Sequence, residues 1–241
     1  MTFQITARAL LLASAVALSP LALPAAWAAT PADTLVVAAT IDDIISLDPA
    51  QSFEFSGNDV TQNLYDRLVD FDPLALDKGF QPSLAESWKT SEDGKTYTYE
   101  LFDNIYFHNG RKMTADDVIW SYNRIMDGTK AYPGARFVRI IEGAAEVEKG
   151  QAKEISGLKK VDDFTLEMKL TEKVDPAFYF FTALTSIYPA DEGGKESFLQ
   201  KPIGLGPFKF VEHVPGSRIV LERWDRFYKP GKPYADKLVI S

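Results

Sequence analysis

Short runs of alternating apolar and polar residues, separated by turn dipeptides, recur along this chain and constrain its fold more than any other feature. Thr96–Leu101 reads Thr-Tyr-Thr-Tyr-Glu-Leu just after Asp93-Gly94, and Ile105 and Phe107 alternate up to Asn109-Gly110. Asp-Gly and Asn-Gly tolerate the positive backbone angles that tight hairpins need. Phe164, Leu166, Met168 and Leu170 are spaced by two after Asp162-Asp163, and Phe208/Phe210 and Ile219/Leu221 repeat the pattern. Residues 34–40 (TLVVAAT) form a β-rich run long enough for a buried strand. Between these runs the period changes. Residues 59–69 place Val60, Leu64 and Leu68 at i, i+4 and i+8, a helical stripe. Strands and helices therefore interleave in a mixed α/β fold, with no internal repeat, low-complexity tract or flexible linker.

The stretch FHNGRKMTADDVIWSYNR, residues 107–124, gathers a histidine, an Asp pair and several cations. Its local chemistry is that of a helix start. Thr114 is placed to cap, with Asp117 at the third helical position completing a capping box. Asp116 and Asp117 favour the positive end of the helix dipole. Val118, Tyr122, Ile125 and Met126 make one apolar face, and Gly128 stands where the helix is expected to end. His108 falls at a strand end, and the only other histidine is His213. A zinc site needs three or four protein ligands, so no metal is expected here.

Composition narrows the class. Net charge is −8 and the pI about 4.9, which disfavours binding to nucleic acid or to an anionic membrane by charge. There is no cysteine, which excludes thiol catalysis, disulfides and thiolate metal sites. At the N-terminus, Arg8 precedes an apolar core at residues 9–23, and Ala26-Trp27-Ala28 gives a small-x-small cleavage signal. The apolar core is short for a membrane span of about 20 residues and is broken by Ser19-Pro20. Residues 1–28 are thus expected to be a signal peptide cut before Ala29, with the mature protein exported to the periplasm.

One ordered set of motifs goes further. SLDPA (46–50) is followed by NLYDRLVDFDP (63–73), PSLAESWKTSEDGKTYTYEL (82–101) and FHNGRKMTADDVIWSYNR (107–124). IEGAAEVEKGQAKEISGLKKVDDFTLEMKL (141–170) and PIGLGPFKFVEHVPGSRIVLERWDRFYKPGKPYADKLVI (202–240) complete it. In this order the chain resembles the periplasmic solute-binding proteins of the dipeptide/oligopeptide/nickel ABC importers, the family 5 extracellular solute-binding proteins. One departure is local: the family loop usually reads Gly-Thr-Gly-Pro, and here Leu205 replaces the Thr.

The resemblance implies a periplasmic-binding-protein type II-like fold of mixed sheets with an extra domain. Family members are typically twice as long, so it also implies a chain truncated before the second lobe. On the family pattern, residues 29–72 open lobe I, residues 73–198 form the additional domain, and residues 199–241 return into an incomplete lobe I. The implied function is that of a periplasmic substrate-binding component of an ABC importer, which closes on a small peptide or related solute and is read by a membrane permease. Neither catalysis nor a cofactor is implied. The implied cleft residues are Phe53, Glu54, Phe55 and Ser56, after the SLDP landmark, and Tyr132 and Arg136 in YPGARF. A carboxylate such as Glu54 suits a peptide amine, the aromatics suit a side chain, and Arg136 suits a carboxylate.

Two other readings stand beside this one: a non-functional truncated fragment, and a serine hydrolase using Ser156 and Lys159 of an S-x-x-K string. That string needs a helix to bring Ser and Lys to one face, whereas Gly157 and Asp162-Asp163 point to a loop. Trp88, Trp120 and Trp224 fall in scaffold motifs and are expected in the core.

Overall fold

A computed structural model describes residues 30–72 and 74–241; the expected signal peptide, residues 1–28 with its cut before Ala29, lies outside them. In chain order the elements are β1 (Thr34–Val37), α1 (Phe55–Leu64), β2 (Val69–Phe71), β3 (Phe80–Pro82), β4 (Ala85–Thr90) and β5 (Thr96–Leu101). Then come α2 (Ala115–Ile125), α3 (Ala135–Val138), α4 (Ala144–Glu148), β6 (Leu158–Lys160), β7 (Thr165–Lys169) and α5 (Ala177–Phe180). The last are α6 (Glu196–Gln200), β8 (Phe208–Val214), β9 (Arg218–Arg223) and β10 (Lys237–Ile240).

The strands sort into two four-stranded sheets and a small hairpin. One sheet has the order β1-β10-β9-β8, with β1 parallel to β10 and the rest antiparallel. The other is antiparallel, in the order β4-β5-β7-β6. Strands β2 and β3 pair with each other.

The period-two pattern explains the second sheet. Tyr97, Tyr99 and Leu101 of β5 are buried while the residues between them are half-buried. Tyr97 lies opposite Met168 and Tyr99 opposite Leu166, so the inward residues of the two strands stack on one face. Gly94 closes the β4–β5 turn at φ +72°, where a side chain would be strained. Asp93 braces that turn, accepting from the Ser91 hydroxyl at 2.6 Å and the Lys95 N–H at 3.0 Å.

Helix α2 forms as its sequence dictates. Val118, Tyr122, Ile125 and Met126 are fully buried. The Asp117 carboxylate accepts from the Thr114 N–H at 2.9 Å. The Thr114 hydroxyl also stands 3.5 Å from the same carboxylate, and the reciprocal capping box expected from the sequence is present.

Three expectations change. The helix expected over residues 59–69 runs instead over Phe55–Leu64, and Leu68 is buried beyond its end. The cause is the loop Gly204-Leu205-Gly206-Pro207: the Gly206 N–H donates to the Leu64 carbonyl at 2.9 Å. A Cβ on Gly204 would stand 1.8 Å from that same oxygen, so glycine alone permits this approach. Leu205, which replaces the usual Thr, is 1 % exposed and packs in the core. The run at residues 34–40 is a strand only over Thr34–Val37 and is not buried: Leu35, Val36 and Val37 stay 52 %, 47 % and 40 % exposed at the sheet edge. Ile105 and Phe107 are buried but lie outside any strand, next to an isolated bridge between Tyr106 and Lys112.

Candidate functional site

The segment between β1 and α1 is held from below by one ion pair. Asp48, whose side chain is wholly buried, accepts from both terminal nitrogens of Arg124 on α2, at 2.5 and 3.1 Å. The Asp48 carboxylate also accepts from the Ala50 N–H at 3.0 Å, and its carbonyl from Gln51 and Ser52 at 2.9 Å. The guanidinium lies over Tyr132 and Tyr188, 5.0 and 5.2 Å from the ring centroids. Burial alone lowers the pKa of Arg124, but the hydrogen bonds it donates to Asp48 outweigh it and hold the cation more firmly than usual.

Residues 53–56 ride on this anchor. Glu54 turns its carboxylate back into the loop, where it accepts from the Ile45 N–H at 3.0 Å, the Phe53 N–H at 3.1 Å and the Ser52 hydroxyl at 3.4 Å. A Cβ on Gly57 would meet Ser52 Oγ at 2.2 Å and Glu54 Oε1 at 2.3 Å, which explains the glycine. The Ser56 hydroxyl donates to Asp43. With Glu54 and Ser56 engaged in the loop, Phe53 and Phe55 stand in solvent at 62 % and 91 % exposure.

Beside this loop is a pocket of about 390 Å³ whose lining includes Gln51, Trp120, Arg124, Lys130, Tyr132 and Leu199. Gln51 and Tyr132 both line it, which ties the pocket to the segment after Asp48; burial raises the Tyr132 phenol pKa. Two aromatic walls with charges of both signs, Arg124, Lys130 and Lys195 against Asp127 and Glu196, suit a flat or zwitterionic solute. Arg136 is not brought here. It sits exposed on α3, with its guanidinium 4.6 Å from the Phe137 ring centroid. Trp120, expected in the core, is only half-buried and lines the pocket. Trp88 and Trp224 are half-buried against Tyr99 and His108.

Sequence reasoning missed the Asp48–Arg124 pair and the role of Gln51. Asp48 and Arg124 each lie within a motif already singled out, yet nothing in a separation of 76 residues pairs them.

The other sequence candidates resolve locally. His108 accepts from the Gly204 N–H at Nδ1, 3.1 Å, and its Nε2 stands 3.1 Å from the Gly206 carbonyl. One nitrogen accepting and the other donating defines a neutral ring, and burial pushes its pKa down to about 4. Both nitrogens are thus spent on the glycine loop. Ser156 lies in a loop with its hydroxyl 3.4 Å from the Glu142 carbonyl, whereas Lys159 is on β6 and pairs with Glu167 at 3.0 Å. They do not share a helix face, as an S-x-x-K pair must.

Comparison with known proteins supplies the frame for this geometry. Residues 79–241 match the model of the bacterial extracellular solute-binding proteins, family 5, middle region. The chain belongs to that family. It is 34% identical over 195 residues to the dipeptide-binding protein of Escherichia coli, covering 74% of this chain and 35% of that protein. It is 32% identical over 203 residues to heme-binding protein A of Haemophilus influenzae, covering 77% and 36%. Among solved structures, the Helicobacter pylori periplasmic binding protein DppA in complex with the peptide STSA superposes with a TM-score of 0.70 at 28% identity, over 86% of this chain and 42% of that one. The unliganded open form of the murein tripeptide-binding protein MppA gives 0.78 at 24% identity, over 86% and 41%, a likeness of fold. The chain therefore spans little more than a third of the length of the curated relatives it matches.

Proposed function

We propose that this family member supplies one wall of the solute cleft of a periplasmic substrate-binding component of an ABC importer, for small peptides or a related solute. Binding proceeds without chemistry: the solute stabilises a closed state that a membrane permease recognises. The observation that carries this reading is the Asp48–Arg124 anchor, which presents Phe53 and Phe55 beside the pocket of Trp120 and Tyr132. The relatives named for dipeptides and tripeptides support peptides as the solute class.

In this reading residues 29–72 and 199–241 belong to lobe I and residues 73–198 to the additional domain. The sheets support the division, since one draws its strands from residues 34–37 and 208–240 and the other from residues 85–169. Export through the N-terminal segment, residues 1–28, fits the periplasmic names among the relatives. Glu54 acts mainly by shaping the loop, and Arg136 has no place in the pocket.

The test is peptide titration of the purified chain followed by NMR and tryptophan fluorescence. Di- and tripeptides should perturb Phe53, Phe55, Trp120 and Tyr132, and Trp120→Ala should abolish the fluorescence change. Millimolar peptide that perturbs none of these residues overturns the assignment of this face as the cleft wall.

A further inference from the structure

A second concave surface lies on other elements. Hairpin β2–β3 and helix α5 bring four phenylalanine rings into one row, Phe71, Phe181, Phe80 and Phe178. Phe71 meets Phe181 edge-on at 5.5 Å, Phe80 leans on Phe181 at 5.8 Å, and Phe178 meets Phe80 edge-on at 4.9 Å. Together with Gly79 these rings line a cup of about 330 Å³, and among the described residues it shares none with the pocket around Trp120. Gly79 sits at φ +64°, and a Cβ there would meet nothing within 4 Å, so the turn both needs glycine and leaves the cup mouth open.

Two features of the cup define what it would take. The described lining offers ring faces and edges, which favour a flat apolar group. The charges on the chain segments that carry it are mostly negative. Asp72 and Asp77 lie on the β2–β3 connection and Asp175 just before α5, all exposed, against Lys78 as the cation of these segments. Asp70 is already paired with Arg67 at 2.6 Å. Lys173, the other nearby cation by sequence, lays its stem over Gly94 at the β4–β5 turn. Phenyl faces attract cations, and a carboxylate collar adds to that attraction and repels anions.

We propose that this cup is a second ligand site, separate from the solute cleft, and that it takes an aromatic group carried on a cation, such as an aryl-alkyl ammonium. The ring of the ligand stacks among Phe80, Phe178 and Phe181, and its ammonium faces Asp72, Asp77 and Asp175. Nothing in this arrangement calls for a chemical step.

The test uses the purified chain and three probes: 2-phenylethylammonium, phenylacetate and methylammonium, followed by saturation-transfer NMR and calorimetry. The phenyl cation should bind, with phenylacetate and methylammonium each at least tenfold weaker. Phe178 is largely exposed, so Phe178→Ala should leave the fold intact while weakening the phenyl cation at least tenfold, and Phe178→Tyr should restore most of it. Asp77→Asn combined with Asp175→Asn should erase the preference over phenylacetate. Trp120→Ala, which is expected to abolish the peptide response of the other pocket, should leave the affinity for the phenyl cation unchanged. Equal binding of phenylacetate and the phenyl cation, binding that survives Phe178→Ala, or no binding of the cation overturns the proposal.

Discussion

Asp48 and Arg124, 76 residues apart, form a bidentate ion pair in which the carboxylate is wholly buried and the Arg124 side chain is half-buried at the pocket wall. This pair couples α2 to the segment that carries Phe53 and Phe55, so the loop takes its position from a helix outside its own neighbourhood. Breaking a buried pair from one side strands the other charge, at a cost of about 3–5 kcal/mol. Arg124→Met should therefore cost that much in urea unfolding. Arg124→Met with Asp48→Asn should recover a large part, because no charge is then stranded. A single variant that unfolds at the wild-type midpoint would show that the pair carries no such coupling.

His108 makes stability depend on pH, and the sign follows from its partners. The folded ring is held neutral with a pKa near 4, against an ordinary value of 6.5. A depressed folded pKa means that the unfolded chain binds the extra proton first. The contribution is fully present above pH 6.5 and is lost as pH falls toward 4; its size is at most roughly 3 kcal/mol. Lys209 adds a smaller repulsion against the protonated ring. Urea midpoints measured between pH 7 and 4 should fall more steeply for the wild type than for His108→Asn. Parallel curves would remove His108 from the pH response.

At the start of α2 the load rests on the acid. Asp117 accepts from the Thr114 N–H, from Ala190 N–H at 3.0 Å and from Arg111, and its side chain is 1 % exposed. Thr114→Ala should cost about 1 kcal/mol, the usual loss of a cap residue. Asp117→Ala should cost clearly more, since it leaves two part-buried N–H groups and the Arg111 guanidinium without their shared partner. Denaturant midpoints of the two variants, read side by side, decide the order.

These cases mark what the sequence made legible. Local rules were enough for β5, β7 and α2, because alternation, turn dipeptides and a helical stripe are set by neighbours in the chain. The end of α1 was not legible, since Leu64 stops the helix by giving its carbonyl to Gly206, more than a hundred residues away. The candidate site divides in the same way. The segment after Asp48 and Tyr132 were visible in motifs, while the inward turn of Glu54 and the distance of Arg136 depend on packing that no periodicity records.

The exposed edge of the first sheet bears on how the chain behaves alone. Among the described residues strand β1 pairs on one side only, with β10, and its apolar residues Leu35, Val36 and Val37 stay substantially exposed. An unpaired apolar edge offers N–H and C=O groups to any other strand, and the adjoining apolar surface adds a driving force for association. The proposed cleft wall is a related case. Pockets that hold a solute well commonly bury about 70–90% of its surface, and one wall with Phe53 and Phe55 in solvent does not provide that burial. The chain alone should therefore bind di- and tripeptides more weakly than micromolar and should self-associate as its concentration rises. Leu35→Lys with Val37→Lys places charges on the edge and should restore a monomer without changing the peptide affinity. Light scattering and calorimetry on the two forms make the comparison. A wild-type chain that stays monodisperse and binds a peptide at micromolar affinity would place the decisive solute contacts within residues 30–241 and contradict the one-wall account.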